Sequence, residues 1–300
     1  PLEIVVVDCA SSDGSADIAR TIPVGDVSRR VFAWTENRGF AGGMNGAIEA
    51  TEAPWILSLN ADARPEPDFL THLLARAAAQ PERRIGAITG KLVRPADAGQ
   101  PRRLDACGMR LTLTWRHLDR GSGEVDLDRF SQAQEVFGGT GAATLFRREA
   151  LLDTALRGEI FAEEFHSFRE DAELCFRFHE RDWSVLYEPA AICEHRRGNL
   201  PDRRRQMSPD VNFHTLKNRY LLRAYHQTAA NAVVTLLPTL WRDLLAFGHV
   251  FLRERSSLGA YAWLWRRRAW IWQRRQEVQR RRTAPAWSVN RWFLHRQLPL

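Results

Sequence analysis

Several side chains in this sequence have the chemistry to hold a ligand, a cation or a proton, and they fall at regular places. Asp8 ends the apolar run of residues 2–7, Asn37 stands just ahead of a glycine-rich run, and Asp62 closes Asn60-Ala61-Asp62 behind another apolar run. Glu170 and Asp171 open a segment with helical spacing, and His195 follows the final strand-like run. Carboxylates and imidazoles are the groups that accept protons or bind divalent cations. The stretch Gly39-Phe40-Ala41-Gly42-Gly43-Met44-Asn45-Gly46 would let a phosphate or sugar approach backbone at a helix start. Its spacing does not match the dinucleotide fingerprint G-x-G-x-x-G. Each feature also has a plainer reading. Asp13 fits a helix cap, the acids at 170–171 complement a helix dipole, a lone histidine is commonly structural, and the glycines of Gly138-Gly139-Thr140-Gly141 fit a strand bulge.

The elements that must position these groups follow from periodicity. Residues 2–7 read as a strand buried on both faces, followed by a polar turn through Ser11 and Asp13 and a short capped helix to residue 22. Strands are predicted at 31–34, 55–59 and 85–93, with helices over 39–49 and 68–80 between them. Residues 94–128 are rich in Gly, Pro and charge and read as irregular chain or a hairpin. A strand is expected through 136–146, a helix over 169–180, and two closing strands at 183–187 and 190–193, with His195 just past them. This alternation predicts an α/β sandwich with a mostly parallel central sheet over residues 1–200, its site at the strands' carboxyl ends. Residues 201–300 read as a helical region, with long helices over 213–225 and 229–251. Arg242, Asp243 and His249 interrupt the second, and Pro238 is expected to kink it, so it reads as a surface-lying helix.

A chain of 300 residues with 44% hydrophobic and 26% charged residues builds a sizeable core and is excluded from the disordered class. Its four cysteines, Cys9, Cys107, Cys175 and Cys193, have no C-x-x-C spacing, and a reducing cytoplasm is the expected compartment. The net charge of +7 is concentrated at one end: from Phe251 onward there are twelve arginines against Glu254 and Glu277. That tail interleaves arginine with tryptophan, a composition that suits either nucleic acid or an anionic membrane surface. Trp at the lipid interface and Arg at anionic headgroups favour the membrane. The tail is therefore expected to bind a membrane from the cytoplasmic side and to be separable from a folded body.

Four segments taken in order resemble the large inverting glycosyltransferase family with the GT-A fold, especially its rhamnosyltransferase-like bacterial members. They are Val6-Val7-Asp8-Cys9-Ala10-Ser11-Ser12-Asp13-Gly14-Ser15, the run from Asn37 to Gly46, Leu59-Asn60-Ala61-Asp62, and Glu170-Asp171-Ala172-Glu173-Leu174-Cys175-Phe176-Arg177. The resemblance spans residues 2–198 and implies a nucleotide-diphosphate donor such as dTDP-rhamnose or a UDP-sugar, with a cell-envelope glycan or lipid-linked acceptor. It implies donor-binding roles for Asp8, Ser11, Asp13, Asn37, Gly43, Asn45, Asn60 and Asp62, and an acceptor-side role for Gly139 and Thr140. A departing nucleoside diphosphate needs its charge neutralised. The resemblance accordingly implies Mg2+ or Mn2+ on Asp62 and His195, with Asn60 standing where the family's metal motif usually begins with Asp. Asp171, beside Glu170, takes the position of the family's catalytic base, and a helix N-terminus would keep it ionised. Family members carry one more strand and helix ahead of the Asp8 strand, so the chain is expected to be a fragment. A catalytically inactive sugar-nucleotide-binding module is the competing reading, resting on Asn60 and that missing unit.

Overall fold

A computed structural model describes residues 2–96, 99–197 and 208–294. Strand β1 (Glu3–Cys9), helix α1 (Ser15–Thr21) and strand β2 (Ser28–Trp34) form a parallel crossover unit, in register from Glu3 opposite Ser28 to Cys9 opposite Trp34. Helix α2 (Gly39–Glu49) lies on β1 at close range, because a Cβ on Gly43 would stand 3.1 Å from the Cys9 Sγ and one on Gly46 2.5 Å from the Trp34 ring. The chain continues through β3 (Trp55–Leu59), β4 (Ala63–Pro65), α3 (Phe69–Ala78) and β5 (Ile85–Val93). Residues 94–128 then contribute β6 (Leu104–Ala106) and a hairpin of β7 (Met109–Leu111) and β8 (His117–Asp119), one of the two forms expected there. After β9 (Gln134–Val136) come β10 (Ala143–Arg147), α4 (Arg148–Thr154), α5 (Glu170–Glu180) and β11 (Ser184–His195).

The α/β architecture matches the expectation, with its main sheet ordered β3-β10-β5-β11-β4, β6 beside β5 and β9 beside β11. Strands β5 and β11 pair in parallel, and β10 runs antiparallel to both β3 and β5, so β3, β5 and β11 share one direction. The short strands β4, β6 and β9 are antiparallel to their neighbours. Every residue of β5 is buried, as a central strand covered on both faces requires. Three boundaries differ from the sequence reading. Asp8 lies inside β1, paired with Ala33. The expected strand over 136–146 is split, because the glycine segment leaves the ladder between β9 and β10. The two expected closing strands are one, β11, which crosses an irregularity between Glu188 and Ile192 and ends on His195.

The C-terminal region follows as α6 (Pro209–His226), α7 (Ala229–Arg253), α8 (Leu258–Arg266), α9 (Arg268–Arg281) and α10 (Asn290–Leu294). Helix α7 continues through Pro238. The expected domain boundary at 200/201 falls outside the described residues. The separable basic tail is corrected, because its aromatic residues complete the main core. The Phe293 ring centroid lies 4.9 Å from that of Trp115, which stacks on Phe176, and Trp292 packs at 4.8 Å on His179 of α5. Several tail arginines are spent on the body: Arg274 on Glu159, Arg281 on the Asp153 and Ala155 carbonyls, and Arg282 on Glu180. Composition shows how many arginines a tail carries, and only packing shows which of them find internal carbonyls and carboxylates.

Phe293→Ala should therefore lower stability by about 3–5 kcal/mol, the usual range for deleting a buried aromatic side chain. Chemical denaturation with tryptophan fluorescence measures it, and a loss below about 1 kcal/mol would show that α10 is an appendage.

Candidate functional site

Asp171 sits in the first turn of α5, and the chain reaches that turn through an unusual conformation. His166, Phe168 and Arg169 all have positive φ, at 62°, 71° and 75°. Left-handed backbone in non-glycine residues costs about 1–3 kcal/mol each and persists only where the surroundings hold it. Here Asn218 of α6 brings its amide nitrogen to 2.8, 2.9 and 2.7 Å from the carbonyl oxygens of Phe165, Ser167 and Phe168. From the other side, the Ala41 N–H donates to the His166 carbonyl at 3.0 Å and the Phe40 N–H to the Ser167 hydroxyl at 3.3 Å. Gly39 permits this approach: its φ is 70°, and a Cβ there would lie 2.3 Å from the His166 carbonyl oxygen.

The half-buried Asp171 accepts hydrogen bonds from the N–H groups of Gly141 at 3.1 Å and Ala172 at 2.7 Å. Burial raises its pKa, and those two N–H donors and Arg197 act in the opposite sense. Burial thus opposes the helix-terminus effect that the sequence suggested. A carboxylate shifted upward is a better proton acceptor than an ordinary one. Glu170 is buried, has no partner for Oε2 among the described residues, and is pushed well above its usual range by burial and then by Asp171.

The Asp62 turn meets the same segment, because the Asn60 N–H donates to the Ala142 carbonyl at 2.9 Å, one residue from Gly141. The Asp62 Oδ1 stands 3.3 Å from the His195 Nε2. The His195 Nδ1 lies 2.8 Å from the Oδ2 of Asp105, a fully buried carboxylate from β6. A carboxylate on Nδ1 is the partner that would hold the ring hydrogen there and present Nε2 to a cation shared with Asp62. Two ligands of one octahedral cation bound at about 2.1 Å stand about 3 Å apart, so the Asp62 and His195 atoms fit such an ion. Among the described residues no cluster of three His, Cys, Asp or Glu side chains could hold a metal by itself. A cation here would need further oxygens from a bound ligand. Next to this pair, Arg197 bridges Asp119 at 2.5 Å and approaches Asp105 at 3.5 Å. Arg169 reaches His117 at 3.4 Å. Asp105, Asp119, Arg197 and His117 escaped the sequence reading. The only hint was the placement of His117 and Asp119 two apart on β8, which puts them on one face.

Other expected site residues have local tasks in the fold. Asp8 accepts from the Ser11 N–H at 3.2 Å and so closes the turn after β1. Asp13 accepts from both the N–H and hydroxyl of Ser15, bonds that lower its pKa, while the cap position of α1 is Gly14 and carries no side-chain cap bond. Asn37 accepts from the Gly39 N–H at 2.8 Å. The Asn45 amide exchanges hydrogen bonds with the Phe161 backbone, both at 2.8 Å, and ties α2 to the loop ahead of α5. At Gly43 the space a side chain would fill holds Cys9. Gly139 lies against Thr144 and Thr89, where a Cβ would come within 2.5 Å of the Thr144 hydroxyl. Thr140 is buried and its carbonyl accepts from Thr144.

Comparison with known proteins fits this arrangement. The profile of "Glycosyl transferase family 2" matches residues 1–154. The chain belongs to glycosyl transferase family 2. It is 37% identical over 76 residues to the succinoglycan biosynthesis protein ExoO of Rhizobium meliloti, covering 25% of this chain and 21% of that protein. It is 23% identical over 199 residues to poly-beta-1,6-N-acetyl-D-glucosamine synthase of Staphylococcus aureus, covering 64% of this chain and 42% of the synthase. The crystal structure of GalNAc-T7 with UDP, GalNAc and Mn2+ aligns with a TM-score of 0.53 at 14% identity, over 74% of this chain and 42% of that one. That likeness shows a shared fold. The chain thus spans less than half the length of these relatives. The family 2 profile covers the β1 to α4 framework that carries Asp62, while α5, His195 and the helices that brace them lie beyond it.

Burial of Glu170 gives this family 2 chain a pH dependence of stability. Its folded pKa lies above the ordinary 4.5, so its stabilising contribution is complete below that pH and is lost as pH rises through the raised value. Glu170→Gln cannot ionise, so it should melt above wild type at pH 8, with the gap closing near pH 4. Scanning calorimetry at both pH values checks this, and an equal gap at the two would refute it.

Proposed function

We propose that this chain is an inverting glycosyltransferase that moves a sugar from a nucleoside diphosphate donor to a hydroxyl of a cell-envelope glycan or lipid-linked acceptor. The observation that carries the reading is the meeting of the Asp62–His195 pair and Asp171 around residues 141–142. Asp171 accepts the acceptor hydroxyl's proton as that oxygen attacks the anomeric carbon, and the bond from that carbon to the diphosphate breaks on the opposite face. The N–H groups of Gly141 and Ala172 fix the carboxylate's direction. A divalent cation, Mg2+ or Mn2+, held by Asp62 and His195 would supply neutralising charge to the leaving diphosphate. Asp105 is the positioning residue that keeps Nε2 of His195 available.

A dTDP-rhamnose or UDP-sugar donor suits Asp8 and Ser11 at the end of β1, in line with the rhamnosyltransferase-like motifs of the sequence. Action at the cytoplasmic face of the membrane suits the acceptor class. Support for a metal-bound nucleotide comes from GalNAc-T7, whose structure holds UDP and Mn2+.

The roles separate experimentally. Asp62→Ala should weaken donor binding and its metal dependence together, because one ligand serves both. Asp171→Asn keeps shape but cannot take a proton, so donor affinity should stay near wild type while transfer falls by roughly 10² to 10⁴-fold. Calorimetric affinity beside transfer rate gives both numbers, with Glu170→Gln as the charge control. Normal transfer by Asp171→Asn, or greater damage in Glu170→Gln, would remove Asp171 as the base.

A further inference from the structure

Helix α7 carries its apolar residues on the outside. Val233 is 84% exposed, Leu237 77%, Trp241 64% and Leu244 63%, recurring three and four residues apart on one side of the helix, and Leu252, 70% exposed, follows about two turns further on. Exposed apolar residues scattered singly are ordinary, whereas a continuous stripe on one helix marks an interaction surface. The helix cannot turn to bury it. Its opposite side, with Asn231, Thr235 and Thr239 at intervals of four, is buried against the body. There Trp115 donates its indole N–H to the Thr235 hydroxyl at 3.1 Å, and Thr239 donates to the Leu113 carbonyl at 3.1 Å.

We infer that this face of α7 docks on a lipid bilayer bearing anionic headgroups and lies along its surface. No helix of the described residues is long and apolar enough to cross a membrane. Charge selects the occupant. The one acid in α7, Asp243, is already held by Arg219 and Arg223. At the helix's C-terminal end and on through α8, Arg253, Arg255, Arg266, Arg267 and Arg268 are exposed, and Arg268 stacks over the 68% exposed Trp265 at 4.5 Å. A second copy packed on this stripe would bring no unpaired acid of α7 to meet those arginines. A bilayer with anionic headgroups supplies both an apolar layer for the stripe and negative charge at its border.

The docking face is coupled to the site. Leu113 and Trp115, on which α7 rests, connect β7 to β8, and β8 carries the Asp119 that pairs with Arg197 beside Asp171. The docked helix would thus hold the proposed base near membrane-borne acceptors, a consequence that rests on the transferase reading above.

The test is flotation of the purified chain with phosphatidylcholine vesicles, with and without phosphatidylglycerol, for wild type and for Leu237→Gln/Leu244→Gln. Both positions are exposed, so melting temperature should not change. Wild type should float with the anionic vesicles, less so at 0.5 M salt or on neutral vesicles. The double variant should lose at least roughly tenfold in partitioning, given the apolar area withdrawn from the lipid. Equal flotation of the two proteins would overturn the proposal. So would a wild-type dimer that fails to float and that the double variant turns into a monomer, since the face would then join two copies. Release of sugar from UDP-sugars and from dTDP-rhamnose, with Mn2+ present, is read in the same samples. Flotation without release removes the transferase reading alone, and release without flotation removes the docking alone.

Discussion

The site depends on one constraint: the turn of residues 166–169 must stay in a conformation its own residues disfavour, because that turn sets where α5 begins and so where Asp171 points. Neither neighbour alone supplies the restraint. The α2 start presses on the turn from one side through Gly39, Phe40 and Ala41, and Asn218 collects its carbonyls from the other. One turn further into α5, Glu173 and Arg177 form a fully buried bidentate pair. Arg177 also donates to the carbonyls of Thr154 and Ile160, both at 2.6 Å. Burial would raise the Glu173 pKa, yet Arg177 and His226 hold it at about 2. A buried charge is tolerable only when paired and hydrogen-bonded, so this pair admits a single placement of α5.

That requirement explains why the C-terminal helices belong to the same body as the site. Helix α6 supplies Asn218 to the turn, Lys217 to the Glu164 carbonyl, and His226 to Glu173 and Glu180. Burial lowers the Lys217 pKa to about 8, so this side chain sits close to losing its charge. Helix α10 then closes the core behind α5 with Trp292 and Phe293, and α9 adds Ile271 and Val278 to the same core. The arginines that make the tail look like a polyelectrolyte are in part structural cations, and the surface left for a membrane is the apolar side of α7 and the arginines beyond it.

Within the site, position divides the acids by exposure. Asp105 is fully buried and acts through His195, Asp119 is pushed upward by burial although Arg197 opposes the shift, and Asp62 is the exposed member at the mouth. Paired arginines let several carboxylates share a small volume while their environments differ.

Local pattern determined a large part of this protein. The alternation of short apolar runs with helices, the turn carrying Asp62 and the acidic start of α5 all rest on interactions within a few residues, and they appear near the places the sequence implied. Family motifs supplied roles for those residues on the same local basis. Tertiary structure alone decided the rest. Asp105 and His195 lie 90 residues apart, and Asp105 comes from a stretch with no periodicity, so nothing local announces their bond. The glycines of α2 suggested a ligand cradle, and the fold uses Gly39, Gly43 and Gly46 for close packing against His166, Cys9 and Trp34. The interrupting Arg242, Asp243 and His249 marked α7 as a surface-lying helix. Which face turned inward was settled by Thr235 and Thr239 meeting Trp115 and Leu113, contacts across more than a hundred residues that only the folded chain brings together.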